Sequence, residues 1–233
     1  MKANERIWEL DALRGLMILF VVLFHALFDL RSFVGWRVSL PVIDFVGQYG
    51  GALFVLLSGI CATLGSRSLK RGALVFACGL AITAVTAAAA ALGWMDETLI
   101  VRFGVLHLLG LCMMLWSLLC RLRTSWLLVG GVLLTAAGYA IAGVTVSVPW
   151  LFPLGLTASG FSSGDFFPLL PHLGWFLLGA VLGRRLYGNK VTRFPRFPKD
   201  AAPIRFLRFC GRQSLWIYLG HQPLLFAIVS LLL

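Results

Sequence analysis

Apolar residues run along this chain in long stretches separated by short polar ones, the pattern of a protein whose solvent is lipid. A helix needs roughly 20 predominantly apolar residues to cross ~30 Å of hydrocarbon. Such stretches lie near 12–30, 45–64, 72–92, 103–120, 126–142, 173–187 and 215–233. They predict an all-α polytopic membrane helix bundle of about seven transmembrane helices. Residues 144–171 are also apolar, but Pro149, Pro153, Pro168 and Pro171 break them, with glycines and serines between. They are expected to form an outer-face cover or a re-entrant piece, not a further span. Residues 189–203 hold three prolines and scattered cations and read as a linker, with a short amphipathic piece before Gly211. With no internal repeat and no long hydrophilic segment, residues 1–233 are expected to make one transmembrane domain.

Composition agrees: 60% of residues are apolar and 12% charged, with a mean hydropathy of +0.92, against about a quarter charged in soluble domains. The charges give an orientation, because short Lys- and Arg-rich loops stay on the cytoplasmic side. Lys2 and Arg6 precede the first stretch, Arg67, Lys70 and Arg71 follow the second, and Arg121 and Arg123 follow the fourth. Between the sixth and seventh, Arg184, Arg185, Lys190, Arg193, Arg196, Lys199, Arg205, Arg208 and Arg212 make nine cations against Asp200 alone. The alternate loops carry Arg31, Arg37 and Arg102 beside Asp29, Asp44, Asp96, Glu97 and Asp165. The prediction is a multi-pass protein of the cell inner membrane with its amino terminus in the cytoplasm. The net charge of +11 then reports orientation and attraction to membrane lipid headgroups or a polyanionic ligand. It does not indicate nucleic acid, which needs a soluble basic surface. The first stretch contains Arg14, His25 and Asp29 and lacks a small-residue cleavage site, so it reads as a retained helix. Cys61, Cys78, Cys112, Cys120 and Cys210 show no metal-type spacing and are expected to be free, buried thiols.

Candidate chemistry begins on that first helix. At 100° per residue Asp11, Arg14, His25 and Asp29 share one face. Arg14 and His25 are eleven residues apart, about 16 Å of helical rise, with Arg14 near the cytoplasmic boundary and His25 past the middle. Asp29 is one turn beyond His25, within reach of its ring, the pairing a general base needs. Ionisable groups at membrane depth are costly unless paired or wet, so each is a candidate site residue. The bland readings are that Arg14 snorkels to lipid phosphate and that His25 is glue between helices. His107, His172 and His221 also fall within or at the ends of apolar stretches, His221 just before Pro223. No pair of these histidines and Asp29 has a recognised ligand spacing, and no metal is expected.

The run Leu10-Asp11-Ala12-Leu13-Arg14-Gly15, followed by Phe24-His25, resembles the opening of membrane-bound acyltransferases, including the acyltransferase-3 proteins. Phe54 to Gly59 (FVLLSG) is similar to the second helix of that group. Four further pieces resemble small bacterial relatives of the heparan-alpha-glucosaminide N-acetyltransferase catalytic domain. They are His25 to Leu30, Arg102 to Gly110 (RFGVLHLLG), Phe166 to Arg184 (FFPLLPHLGWFLLGAVLGR) and Gly211 to Pro223 (GRQSLWIYLGHQP). The resemblance implies transfer of an acyl group, typically acetyl from cytoplasmic acetyl-CoA, to an amine or hydroxyl of a sugar or glycan across the membrane. The eukaryotic branch has Asn where His25 stands and is thought to use a histidine of its first outer loop, whereas 31–44 here has none. His25 would inherit that role.

On this reading Arg14, Arg208 and Arg212 hold the phosphates of acetyl-CoA, with Ser58 a further contact. A pantetheine arm about as long as the ~16 Å from Arg14 to His25 brings the thioester to His25, which acts as base or takes the acetyl group itself. Asp29, His107 and His221 assist the catalytic step. His172, Asp165 and Gln222, with Tyr218, position the acceptor. The competing reading is a proton-coupled carrier of a small anionic or sugar-like solute, which also lines a path with buried Arg, His and Asp. A structural or lipid-binding protein leaves the histidines without a purpose. Assembly as a homo-oligomer is compatible with any of these.

Overall fold

The computed structural model describes residues 6–33 and 41–231. Lys2, Arg37 and the end of the seventh stretch lie outside them, as does the side chain of Asp44. Among the described residues the α-helices are α1 (Trp8–Phe33), α2 (Pro41–Ala62), α3 (Ser68–Ala91), α4 (Val105–Leu119), α5 (Thr124–Ala140), α6 (Leu169–Tyr187), α7 (Ala202–Arg212) and α8 (Ser214–Ser230). Short 3-10 helices occur at Glu97–Leu99 and Pro149–Leu154. Extended pairing among the described residues amounts to isolated bridges, Phe103 with Phe166 and Thr145 with Thr157.

Each apolar stretch of the sequence coincides with a helix. Among the described residues two helices, Trp8–Arg31 of α1 and Ser68–Ala91 of α3, are long and apolar enough to cross a membrane. The other apolar helices are shorter. α4, with 15 residues, rises only about 22 Å at 1.5 Å per residue. Large apolar side chains nevertheless face outward, among them Leu74 and Val85 of α3 and Leu133 of α5, and exposed tryptophans (Trp94, Trp126, Trp150, Trp216) lie in loops or near helix ends. Such a surface suits lipid with an aromatic belt and would be a liability in water.

The chain divides into two compact units, Met1–Phe54 with Tyr187–Leu233, and Val55–Leu186. In the first, α1 crosses α7 backbone to backbone. A Cβ on Gly15 would lie 1.9 Å from the Leu207 carbonyl oxygen, and one on Gly211 1.8 Å from that of Asp11. Glycine is required on both sides. Helices in lipid gain little from the hydrophobic effect, and close approach through small residues supplies the attraction. The α6–α7 linker is fastened to the start of α1: the Glu9 carboxylate accepts from the Thr192 hydroxyl and the Arg193 N–H, each at 2.8 Å. Trp8 stacks on Phe197 at 5.0 Å. Pro203 sits in the first turn of α7, where its missing N–H costs nothing, so the helix begins slightly before the expected linker ends.

The second unit repeats the device. Gly59 of α2 meets the Phe176 carbonyl of α6, while Gly179 of α6 meets the Leu56 carbonyl of α2, both with no room for a Cβ. Gly72 of α3 and Gly110 of α4 do the same for their pair. Residues 144–168 hold only the short Pro149–Leu154 helix, closed by Gly155 at φ 108°, a left-handed position that favours glycine. Asp96 caps the Glu97–Leu99 turn, accepting from the Thr98 N–H at 2.8 Å and from its hydroxyl, and these donors hold its carboxyl below the usual range. The cysteines are free, as expected. Cys112 and Cys210 are buried and Cys61 and Cys78 half-buried, but Cys120, at the end of α4, is exposed instead of buried.

Candidate active site

In the first unit α1 and α8 bring four of the predicted side chains together. His25 and His221 lie with ring centroids 5.0 Å apart. Phe24 stands edge-on to the His25 ring at 5.5 Å and is itself backed by Gly47, whose Cβ would fall 2.5 Å from the Phe24 ring. Asp29 is 5% and His221 7% exposed, so two polar groups are withdrawn together from the surroundings. Such groups are costly unless satisfied.

Asp29 meets that cost across the helix pair. The spacing along α1 suggests a bond to His25, yet the carboxylate accepts from the side-chain amide of Gln222 on α8, and its charge acts on His221.

His221 has the more telling geometry. Its Nδ1 lies against the backbone carbonyl of Tyr218, one turn earlier. A carbonyl only accepts, so Nδ1 carries the proton and donates it, and in the neutral ring Nε2 keeps its lone pair. That Nε2 is buried and has no hydrogen-bond partner among the described residues. Buried polar atoms are nearly always paired; among the described residues Trp8 Nε1 and Thr135 Oγ1 share this state, and of the three the imidazole nitrogen is the one able to take up a proton.

At the far end of the same helix pair, the Arg14 guanidinium donates to the Ser214 hydroxyl at 3.3 Å, tying α1 to the first residue of α8. Arg14 and His25 sit on one continuous helix, so their separation of about 16 Å stands. Arg208 donates to the Lys199 carbonyl at 3.0 Å and pairs with Asp200 at 3.4 Å. Arg212 is exposed at the end of α7.

The remaining predicted residues lie in the second unit, where three serve the chain itself. His107 is the third residue of α4. Its Nδ1 accepts the Gly104 N–H at 3.2 Å, so its Nε2–H donates to the Thr83 hydroxyl at 3.3 Å. Both nitrogens are occupied in capping α4 and joining it to α3, because Thr83 passes its own proton to the Val101 carbonyl at 2.7 Å. Asp165 supplies the other half of that cap, accepting the Val105 N–H at 3.0 Å. His172 donates from Nδ1 to the Pro168 carbonyl at 2.8 Å, closing the start of α6 where Leu170 is extended ahead of Pro171. Ser58 is half-buried on α2. Sequence reasoning did not single out Thr83, and the readable signal was His107 in the first turn after Gly104, a capping position. Among the described residues no three His, Cys, Asp or Glu side chains come close enough to hold a metal ion.

The model of one protein family, heparan-alpha-glucosaminide N-acetyltransferase, catalytic, matches residues 6–223. No curated protein and no solved structure gives a significant match.

Proposed function

The chain belongs to the heparan-alpha-glucosaminide N-acetyltransferase catalytic family, whose members are membrane-embedded acetyltransferases, and from that premise we propose a route for its chemistry. The protein takes acetyl from cytoplasmic acetyl-CoA and delivers it to an amine or hydroxyl of a sugar or glycan outside the inner membrane. About seven helices cross the bilayer with the amino terminus and the basic loops inside. The observation that carries this reading is the unpartnered Nε2 of His221 beside His25, in a half of the molecule where Arg14 lies one pantetheine length away.

The phosphates of the donor dock at the basic end, near Arg14, Arg208 and Arg212, and the thioester reaches inward to His25. His221 draws the proton from the acceptor hydroxyl or amine as the acceptor attacks the thioester carbonyl. The carbon–sulfur bond breaks, and the proton passes to the departing CoA thiolate. Asp29 stabilises the imidazolium at His221, and Gln222 holds Asp29 in place. His25 shares the base role or carries the acetyl group as an acyl-imidazole between donor and acceptor. His107, His172 and Asp165 act through the helix starts they hold.

The test is thiol release and acetyl transfer by the purified protein, given radiolabelled acetyl-CoA and envelope glycan or amino sugar. His25→Ala and His221→Ala are each expected to lower turnover about 10²–10⁴-fold, the usual contribution of a positioned base. Label trapped on denatured wild type but not on His25→Ala identifies the acyl-histidine route. Normal thiol release from both variants removes the assignment. A protein that moves solute across vesicles without freeing thiol is the carrier instead.

A further inference from the structure

The second unit has a cavity of about 840 Å³ at one end, lined by Ser66, Arg67, Ser68, Lys70, Cys120 and Arg184 among others. The space is half open, with more room than a single ion needs. Its charge is of one sign. The acidic residues of 55–186 are Asp96, Glu97 and Asp165, all near the opposite ends of α3 and α4, so no carboxylate of this unit answers the cations here.

The cations differ in how they are held. Arg184 is fixed: it donates to the Cys120 and Leu122 carbonyls, each at 2.7 Å, and lies 5.4 Å from the centre of the Trp116 ring. Those contacts are to neutral groups and leave its charge uncompensated. Arg67 and Lys70 are exposed and their side chains make no hydrogen bond or ion pair with any described residue. Between them begins α3, 24 residues long, and no side chain caps it. Its first backbone N–H groups therefore lack a side-chain acceptor, and Ser68, Leu69 and Lys70 of that first turn line the cavity, at the end of the helix whose dipole favours an anion.

We infer that this pocket binds the phosphate groups of a phosphorylated ligand, with Arg67, Lys70 and the start of α3 as donors and Arg184 as a fixed positive wall. A nucleotide and an anionic phospholipid headgroup share that chemistry. The donor phosphates keep their place near Arg14, Arg208 and Arg212, so this is a second phosphate site, and it does not rest on the acyl-transfer reading.

Cys120 supplies a readout independent of turnover. The full chain is prepared with Cys61, Cys78, Cys112 and Cys210 replaced by Ala, and modification of Cys120 by a maleimide is timed with and without adenosine 3′,5′-bisphosphate. Labelling is expected to slow about tenfold at saturation and to recover as salt screens the ion pairs. An Arg67→Ala/Lys70→Ala variant is expected to need at least about tenfold more bisphosphate, a loss of 1.4 kcal/mol. The same labelling in nanodiscs of phosphatidylcholine with or without phosphatidylglycerol separates the sources. Protection by phosphatidylglycerol alone assigns the site to a headgroup. Protection by neither ligand, or equal protection of the double variant, overturns the inference. Protected wild-type protein that releases no thiol from acetyl-CoA leaves the phosphate site standing and removes the acyl-transfer reading. Normal transfer by unprotected protein does the reverse.

Discussion

The four histidines are distinguished by what their ring nitrogens already do. His107 uses both on the start of α4, and His221 uses one and leaves the other bare in a buried place. The two should therefore respond oppositely to substitution. His107→Ala is expected to lower unfolding stability by about 1 kcal/mol, the scale of a lost helix cap, while turnover per folded molecule stays near wild type. His221→Gln is expected to keep the melting temperature and lose turnover. Paired thermal denaturation and thiol-release measurements check both, and a His107→Ala protein that melts normally but is inert would reverse the roles. Asp165→Ala belongs with His107→Ala, at about 0.5–2 kcal/mol of stability, because its carboxylate holds the Val105 N–H.

At the level of helices, adhesion depends on missing side chains. Gly211→Ala would set a methyl 1.8 Å from the Asp11 carbonyl oxygen, whereas a Cβ at Gly220 of α8 meets nothing within 4 Å. Gly211→Ala is expected to cost at least about 1–3 kcal/mol, the range for overpacking. Gly220→Ala should gain about 0.5–1 kcal/mol by restricting the unfolded chain. Denaturation in detergent, with size-exclusion profiles, reads both signs. This contrast also explains what could be read in advance. Hydrophobic stretches located every apolar helix, because an apolar run in lipid has few alternatives to helix. They did not reveal which helices are short, since a stretch such as 103–120 includes Phe103, which enters a bridge with Phe166 before α4 begins. On α1 the spacing of Arg14, His25 and Asp29 was legible because one helix fixes it. The partnership of Asp29 with Gln222 was not, because it joins residues almost a whole chain apart. Arg67 and Lys70 were legible as orientation signals, but the cavity they line exists only once the ends of α4 and α6 arrive beside them.

For the molecule as a whole, the proposed orientation makes a prediction of its own. In otherwise cysteine-free protein, Cys120 should react with a membrane-impermeant maleimide in inverted inner-membrane vesicles. A cysteine introduced by Ser159→Cys, exposed in the loop before α6, should react in spheroplasts. The opposite result for both places the basic loops outside. The first unit also has a bearing on how the protein is made. Arg14 and Ser214 are 200 residues apart in the chain, a gap that takes about 10–40 s to translate at about 5–20 residues per second. For that interval α1 is already synthesised while α8, which brings Gln222 and His221 to it, does not yet exist. A chain stalled before α8 is thus left with an unsheltered carboxylate and imidazole, a ready mark for membrane quality control to find.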